Sequence, residues 1–206
     1  IKDYSARYKV KKFTKVALIA LWPIIKLYVL QNSRFNFIGK LSTNLFKLFK
    51  NFSFKHKVYA KDGTPVTMKI EFKKDDLSGF KEIFWENEYL APFDISEIKT
   101  IVDCGANKGR ASLFFMMNAN VERVLLVEAN PYLKESIEET LFSLSKKVEI
   151  NINNSCVTGK SSQNISFAVS EDTRNSHISQ SKDSQNKNLN IKSISLRDLL
   201  KKYNFT

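Results

Sequence analysis

The spacing of apolar residues divides this chain into segments of different kinds, and the most informative is TIVDCGANKGRASLFFMMNANVERVLLVEANP, residues 100–131. Residues Ile101 to Asp103 read as a buried strand that Asp103 ends, and Gly105 and Gly109 predict a turn. Leu113, Phe114 and Met117 recur at helical spacing, and Val124 to Val127 predict a second buried strand that ends in Glu128. Together these make half of a βαβ unit. A helix follows, with Asn130 as N-cap, Pro131 at its first position and Glu135, Glu138 and Glu139 in the early turns. Its Leu133, Ile137, Leu141 and Leu144 are expected to face the sheet. A third strand over 148–152 runs to Asn153, Asn154 and Ser155 at its tip. Beyond it the pattern gives a turn at 158–162, a strand at 164–170, a polar stretch at 171–190 read as a mobile loop, a strand at 191–195, and a helix started by Ser195 and Asp198.

Upstream the patterns are different. Residues 16–30, VALIALWPIIKLYVL, are largely apolar, but they fall short of the roughly 20 residues a membrane span requires, and Pro23 and Lys26 interrupt them. No small-x-small cleavage site follows, which argues against a signal peptide. A second segment places Ile38, Leu41, Leu45, Leu48 and Phe52 near helical spacing with Lys40, Lys47 and Lys50 between them. Such a basic amphipathic helix either lies on an anionic membrane surface or packs on protein and exposes its lysines. From Val58 to Phe72, short β-like runs flank Lys61-Asp62-Gly63-Thr64-Pro65, a hairpin signal. Asp76 then precedes an aromatic-rich helix with Phe80, Ile83, Phe84 and Trp85, ending near Tyr89, whose aromatics are expected in a core.

Composition sharpens the picture mainly at one end. The net charge is +12 over 206 residues, with 33 Lys or Arg against 21 Asp or Glu. Residues 1–57 hold 13 of the cations and one acid, which leaves 20 of each for 58–206 and makes the remainder neutral. The basic character therefore belongs to the arm, and no nucleic-acid partner is expected for the rest. The length allows one domain with an appendage, divided into a basic helical arm at 1–57, a hairpin and helix at 58–98 leading into the core, and the core itself from 99 to 206. Cys104 and Cys156 have no metal-ligand spacing and form no secreted disulfide framework. Both read as reduced small core residues, which favours a cytoplasmic setting, with membrane association through the arm left as one of its open alternatives.

The candidate chemistry lies in the opening stretch. Gly105 and Gly109 let the backbone turn and approach a ligand without a Cβ clash, at the carboxyl edge of a parallel sheet. Glu128, at the tip of the neighbouring strand, is placed to accept both hydroxyls of a ribose, so an adenosine-containing cofactor fits. The dinucleotide pattern G-x-G-x-x-G fails at Asn107 and Arg110, which disfavours pyrophosphate. Asp103-Cys104-Gly105-Ala106-Asn107-Lys108-Gly109 has the form D-x-G-A-N-x-G, and Glu128-Ala129-Asn130-Pro131 has the form E-x-N-P. These resemble class I S-adenosylmethionine-dependent methyltransferases, and within them the FkbM family. Glu82-Ile83-Phe84 and Glu88-Tyr89 resemble that family's segment before its cofactor strand.

The resemblance implies an α/β fold, a Rossmann-like sheet with helices on both faces. It implies S-adenosylmethionine as cofactor, held by Asp103, Gly105, Ala106, Asn107, Gly109, Glu128, Asn154 and Ser155, and O-methylation of a sugar, glycan or secondary-metabolite hydroxyl. No metal is implied. Within that frame Asp103 positions the amino end of the cofactor or caps the following turn, and Asn107 bonds its carboxylate or braces the loop. Lys108 and Arg110 are expected to point to solvent or to bind an anion, and Asn154 and Ser155 to border the adenine. His177 is expected to be exposed. The acceptor and the general base are not legible. The family's next strand carries K-I-D-x-E-G-x-E, which does not occur here. Together with the lack of an initiating Met, this gives the expectation of an incomplete sheet and a fragment or truncated gene product. The rival readings are a non-catalytic remnant or membrane-associated interaction module, and a nicotinamide-dependent oxidoreductase.

Overall fold

The computed structural model describes residues 53–71, 73–86, 88–89, 94–179 and 187–205. The expectations for the two apolar segments of the arm, and for positions 180–186 of the polar stretch, fall outside them. The chain divides after Glu88 into two compact units. Among the described residues no helix is long and apolar enough to cross a membrane.

In the first unit, β1 (Ser53–Tyr59) and β2 (Pro65–Glu71) pair antiparallel from Ser53↔Glu71 to Tyr59↔Pro65. Gly63, at φ 84°, supplies the left-handed turn residue. The strand begins at Ser53, inside the stretch that the charge pattern assigns to the arm. Val66, Met68 and Ile70 alternate inward with His56 and Val58, while Lys55, Lys57, Thr67 and Lys69 face solvent. Helix α1 (Lys74–Phe80) continues into a π-turn at Lys81–Trp85, and Phe80 and Phe84 are buried. Asp76 therefore lies within the helix rather than before it. Its Oδ2 accepts the Glu71 amide at 2.6 Å, so the carboxylate ties the helix back to the end of β2 instead of capping its first turn.

The second unit is a mixed α/β arrangement. Strands β3 (Thr100–Cys104), β4 (Arg123–Val127) and β5 (Glu149–Asn153) form a parallel sheet in the order β3-β4-β5. Helices α2 (Arg110–Asn118) and α3 (Lys134–Leu141) connect them. Each residue of β4 from Val124 to Val127 is buried, because alternate side chains enter two separate layers. Leu126 lies on the side of Ile137 and Leu141 of α3. Leu125 and Val127 pack with Leu199 of α4 (Leu196–Lys202), and Tyr203 and Phe205 extend that layer. The positions expected to face the sheet are all buried: Ile137 and Leu141 of α3, Leu133 in the 3-10 turn before it and Leu144 in the one after it.

A four-stranded sheet follows, ordered β6-β9-β7-β8, from β6 (Cys156–Thr158), β7 (Asn164–Val169), β8 (His177–Ile178) and β9 (Lys187–Ser195). The sequence pattern shows less of it. Strand β9 is longer than 191–195, since its polar first half pairs antiparallel with β7 from Val169↔Lys187 onward. Within the polar stretch Thr173–Asn175 form a short 3-10 turn and His177 and Ile178 pair with Ala168 and Phe167. These ladders satisfy backbone groups in stretches where Ile178 and Leu189 stand as isolated apolar residues among polar ones. Cys156 is buried with Phe167 and Ile191, as a core residue should be. Cys104 is exposed, contrary to expectation, because the sheet ends at that residue; both thiols are free.

Candidate functional site

The first turn after β3 sits where its amides can reach the end of β4. The Gly105 and Ala106 amides donate to the Val127 carbonyl at 2.8 and 3.1 Å, and the Gly109 amide donates to the Ala106 carbonyl at 2.7 Å. Gly105, Asn107 and Gly109 all have positive φ, at 87°, 49° and 73°. A Cβ on Gly105 would meet nothing within 4 Å, so the glycine leaves an open approach to backbone at the sheet edge. Gly109 has a different environment. It is buried, and a Cβ there would touch Leu126 and Ile137 at 3.4 Å. Its lack of a side chain serves the left-handed start of α2 and the close packing of α3.

Glu128 is buried at 9% exposure and holds the turn together. Its Oε2 accepts the Asn107 amide and its Oε1 the Asn130 amide, each at 2.7 Å. The expected ribose-facing carboxylate is thus already engaged on both oxygens, though each oxygen retains a further acceptor site. Asn130 is the N-cap expected of it, its Oδ1 accepting the Tyr132 amide at 3.1 Å. Asp103 is gripped by the start of α2, where Ser112, 1% exposed, donates its hydroxyl to Asp103 Oδ2 at 2.6 Å. Ser112 carries no apolar or charge signal and was not legible as a site residue.

Burial raises the carboxyl pKa of both acids above the ordinary range. For Asp103 the hydrogen bonds from Ser112 oppose that rise. For Glu128 the amides of Asn130 and Asn107 oppose it, while the negative charge of Asp103 adds to it. The turn therefore brings two desolvated carboxyl groups of like charge within electrostatic reach of each other.

The tip of β5 completes the arrangement. Asn154 Nδ2 donates to the carbonyls of Glu128 and Ala129 at 2.7 and 3.1 Å. Ser155 is buried and donates to Asn153 Oδ1 at 2.5 Å, and Asn153 in turn donates to the Tyr203 hydroxyl at 3.1 Å. Asn153 and Tyr203 were not among the expected site residues. Arg110 is 7% exposed, so pointing to solvent, one of its two expected placements, is not what the structure has. His177 is exposed, as its polar surroundings predict, with Nδ1 2.9 Å from the Asn175 carbonyl. No group of three or more His, Cys, Asp or Glu among the described residues could hold a metal.

A glycine turn at the carboxyl edge of parallel strands, with an acid ending the next strand, is the geometry of a ligand-binding α/β domain. The sequence profile described as the methyltransferase FkbM domain matches residues 103–206, about half of the chain, and the chain belongs to that family. The match starts at Asp103 and covers all of the site residues above. No curated protein matches the chain.

Proposed function

We propose that this methyltransferase domain binds S-adenosylmethionine at the turn between β3 and α2 and transfers its methyl group to a hydroxyl of a sugar, glycan or secondary metabolite. The observation that supports the cofactor most is the pair of desolvated carboxyls, part-buried Asp103 and buried Glu128. A ligand bearing a sulfonium and an ammonium supplies the positive charge that such a pair lacks, whereas a pyrophosphate would add negative charge to it. Gly105 offers the open backbone approach, and Glu128 keeps acceptor capacity for ribose hydroxyls. Asn154 and Ser155, next to the end of β4, are suited to border the base, and Ala106, Asn107 and Gly109 to shape the loop around it.

The bound cofactor supplies a methyl group already activated for displacement. The chain then has to hold the nucleophile in line and exclude water. Asp103 and Glu128 serve binding and orientation. The membership rests on the family profile, and the acceptor class rests on what that family's resemblance implies.

Titration calorimetry of the protein with S-adenosylmethionine and, separately, with NAD tests the reading. Binding of the first alone is expected. NAD binding without S-adenosylmethionine binding would overturn it in favour of the oxidoreductase alternative.

We also propose an anionic membrane surface as partner for the arm, with the protein working on the cytoplasmic side. One structural feature favours it: on the hairpin Lys55 stands directly opposite Lys69, with Lys57 on the same exposed face. An exposed basic face of this kind is complementary to anionic headgroups.

A further inference from the structure

The second sheet reaches the glycine turn at one residue that the sequence does not single out. Strands β7 and β8 are joined by a short loop whose ends are tied together, Ser170 N–H donating to Ser176 Oγ at 3.1 Å. Inside it, Asp172 Oδ1 accepts the Arg174 amide at 3.2 Å and also pairs with the Arg174 guanidinium at 3.3 Å. This loop is therefore braced by its own side chains. From it Thr173 Oγ1 donates to Asn107 Oδ1 at 3.0 Å, across 66 residues of sequence.

Asn107 is an unusual residue to hold. It is one of the non-glycine residues with positive φ, a conformation that is costly for an L-residue and persists only where its surroundings hold it. Its amide is also the donor to Glu128 Oε2. The hydroxyl of Thr173, the side chain of Asn107, the left-handed Asn107 backbone and the carboxylate of Glu128 thus form one continuous chain. With Oδ1 occupied by Thr173, the Asn107 amide group is oriented, and its Nδ2 donors are directed away from Thr173.

We propose that Thr173 is a positioning residue for the cofactor turn, fixing Asn107 and through it Glu128, so that the β7–β8 loop sets how tightly the nucleoside end of the cofactor is held. The cofactor half of this inference rests on the S-adenosylmethionine reading above; the positioning half does not. Thr173→Val keeps the shape and removes the donor, and Thr173→Ser restores it.

Amide hydrogen exchange of the unliganded full chain reads the positioning directly. The Asn107 amide is expected to exchange several-fold faster in Thr173→Val and at the parent rate in Thr173→Ser. Unchanged exchange in Thr173→Val overturns the proposal whether or not the cofactor binds. Calorimetry then reads the consequence. The dissociation constant for S-adenosylmethionine is expected to rise roughly three- to tenfold in Thr173→Val, the net worth of about one hydrogen bond, and to recover in Thr173→Ser. An unaltered constant in Thr173→Val refutes the claim that this loop sets affinity. If the parent does not bind S-adenosylmethionine while exchange still responds, the cofactor reading fails and the positioning of Asn107 stands.

Discussion

Glu128 and Asp103 show how one residue type performs two tasks according to its surroundings. The Glu128 carboxylate ties the turn to the segment leading into α3 by accepting the Asn107 and Asn130 amides, and it is also the proposed ribose ligand. Glu128→Ala is expected to weaken S-adenosylmethionine binding by about 1–3 kcal/mol, the range for losing charged hydrogen bonds, measured by calorimetry. Unchanged affinity would remove Glu128 from the ligand set. Asp103 makes a prediction about pH. Burial lifts its folded pKa above the ordinary 3.8, so the folded state binds the proton more tightly than the unfolded state does. Its contribution to stability is then full below the ordinary value and is lost as pH rises through the folded value. Asp103→Asn removes this loss and can still accept the Ser112 hydroxyl. Relative to the parent it is expected to gain thermal stability as pH rises from the ordinary carboxylate value toward neutrality, while binding the cofactor less well. Thermal unfolding across that range checks the sign, and a variant that loses stability as pH rises more steeply than the parent would contradict it.

At the scale of elements, the turn and α4 carry distinct burdens. Gly109→Ala forces an L-residue to φ 73° in contact with Leu126 and Ile137. It is expected to cost on the order of 1–2 kcal/mol of stability, chiefly from the backbone, measured by denaturant unfolding. A neutral result would show that the α2 start relaxes freely. Leu199 is fully buried, and α4 covers the Leu125 and Val127 face of β4 through it. Leu199→Ala is expected to cost about 2–5 kcal/mol. A loss under 1 kcal/mol would mean that α4 is not a structural layer of this sheet. Arg123 reinforces the same layer from the opposite end of β4. Its guanidinium donates to the Tyr203 and Asn204 carbonyls at 2.9 Å and lies 4.3 Å from the Phe205 ring. The strand that ends in Glu128 is thus fixed at both ends, which keeps the carboxylate in place.

For the molecule as a whole, charge and chemistry are segregated along the chain. Residues 1–57 contain the whole of the net charge, and the family match begins at Asp103 in a stretch that is neutral overall. If the basic partner is a membrane, the full chain should sediment with vesicles containing anionic phospholipid, and binding should fall as salt rises. Replacing Lys55, Lys57 and Lys69 by Glu should reduce it further. Equal sedimentation with neutral vesicles would argue instead that the arm packs on protein. Methyltransferase activity belongs to the other unit and is read separately, so the two outcomes are independent.

The sequence by itself determined the element order from Thr100 to Leu144, because buried strands, capped helices and glycine turns leave local signals in residue type and spacing. It also determined the family, since the D-x-G-A-N-x-G turn and Glu128 lie within one continuous stretch. It did not reveal strands β8 and the first half of β9, where Ile178 and Leu189 are single apolar residues among polar ones, too few for a periodicity, and where the strands are defined by backbone pairing with β7. Nor did it reveal that Arg110 is buried or that Cys104 is exposed, because burial at the end of an element depends on what packs there. The role of Gly109 became clear only from Leu126 and Ile137, contributed by a strand and a helix further along the chain. Only the tertiary structure placed Thr173 beside Asn107. A hydrogen bond between polar residues so far apart in the chain leaves no periodicity, and folding alone brings its donor and acceptor together.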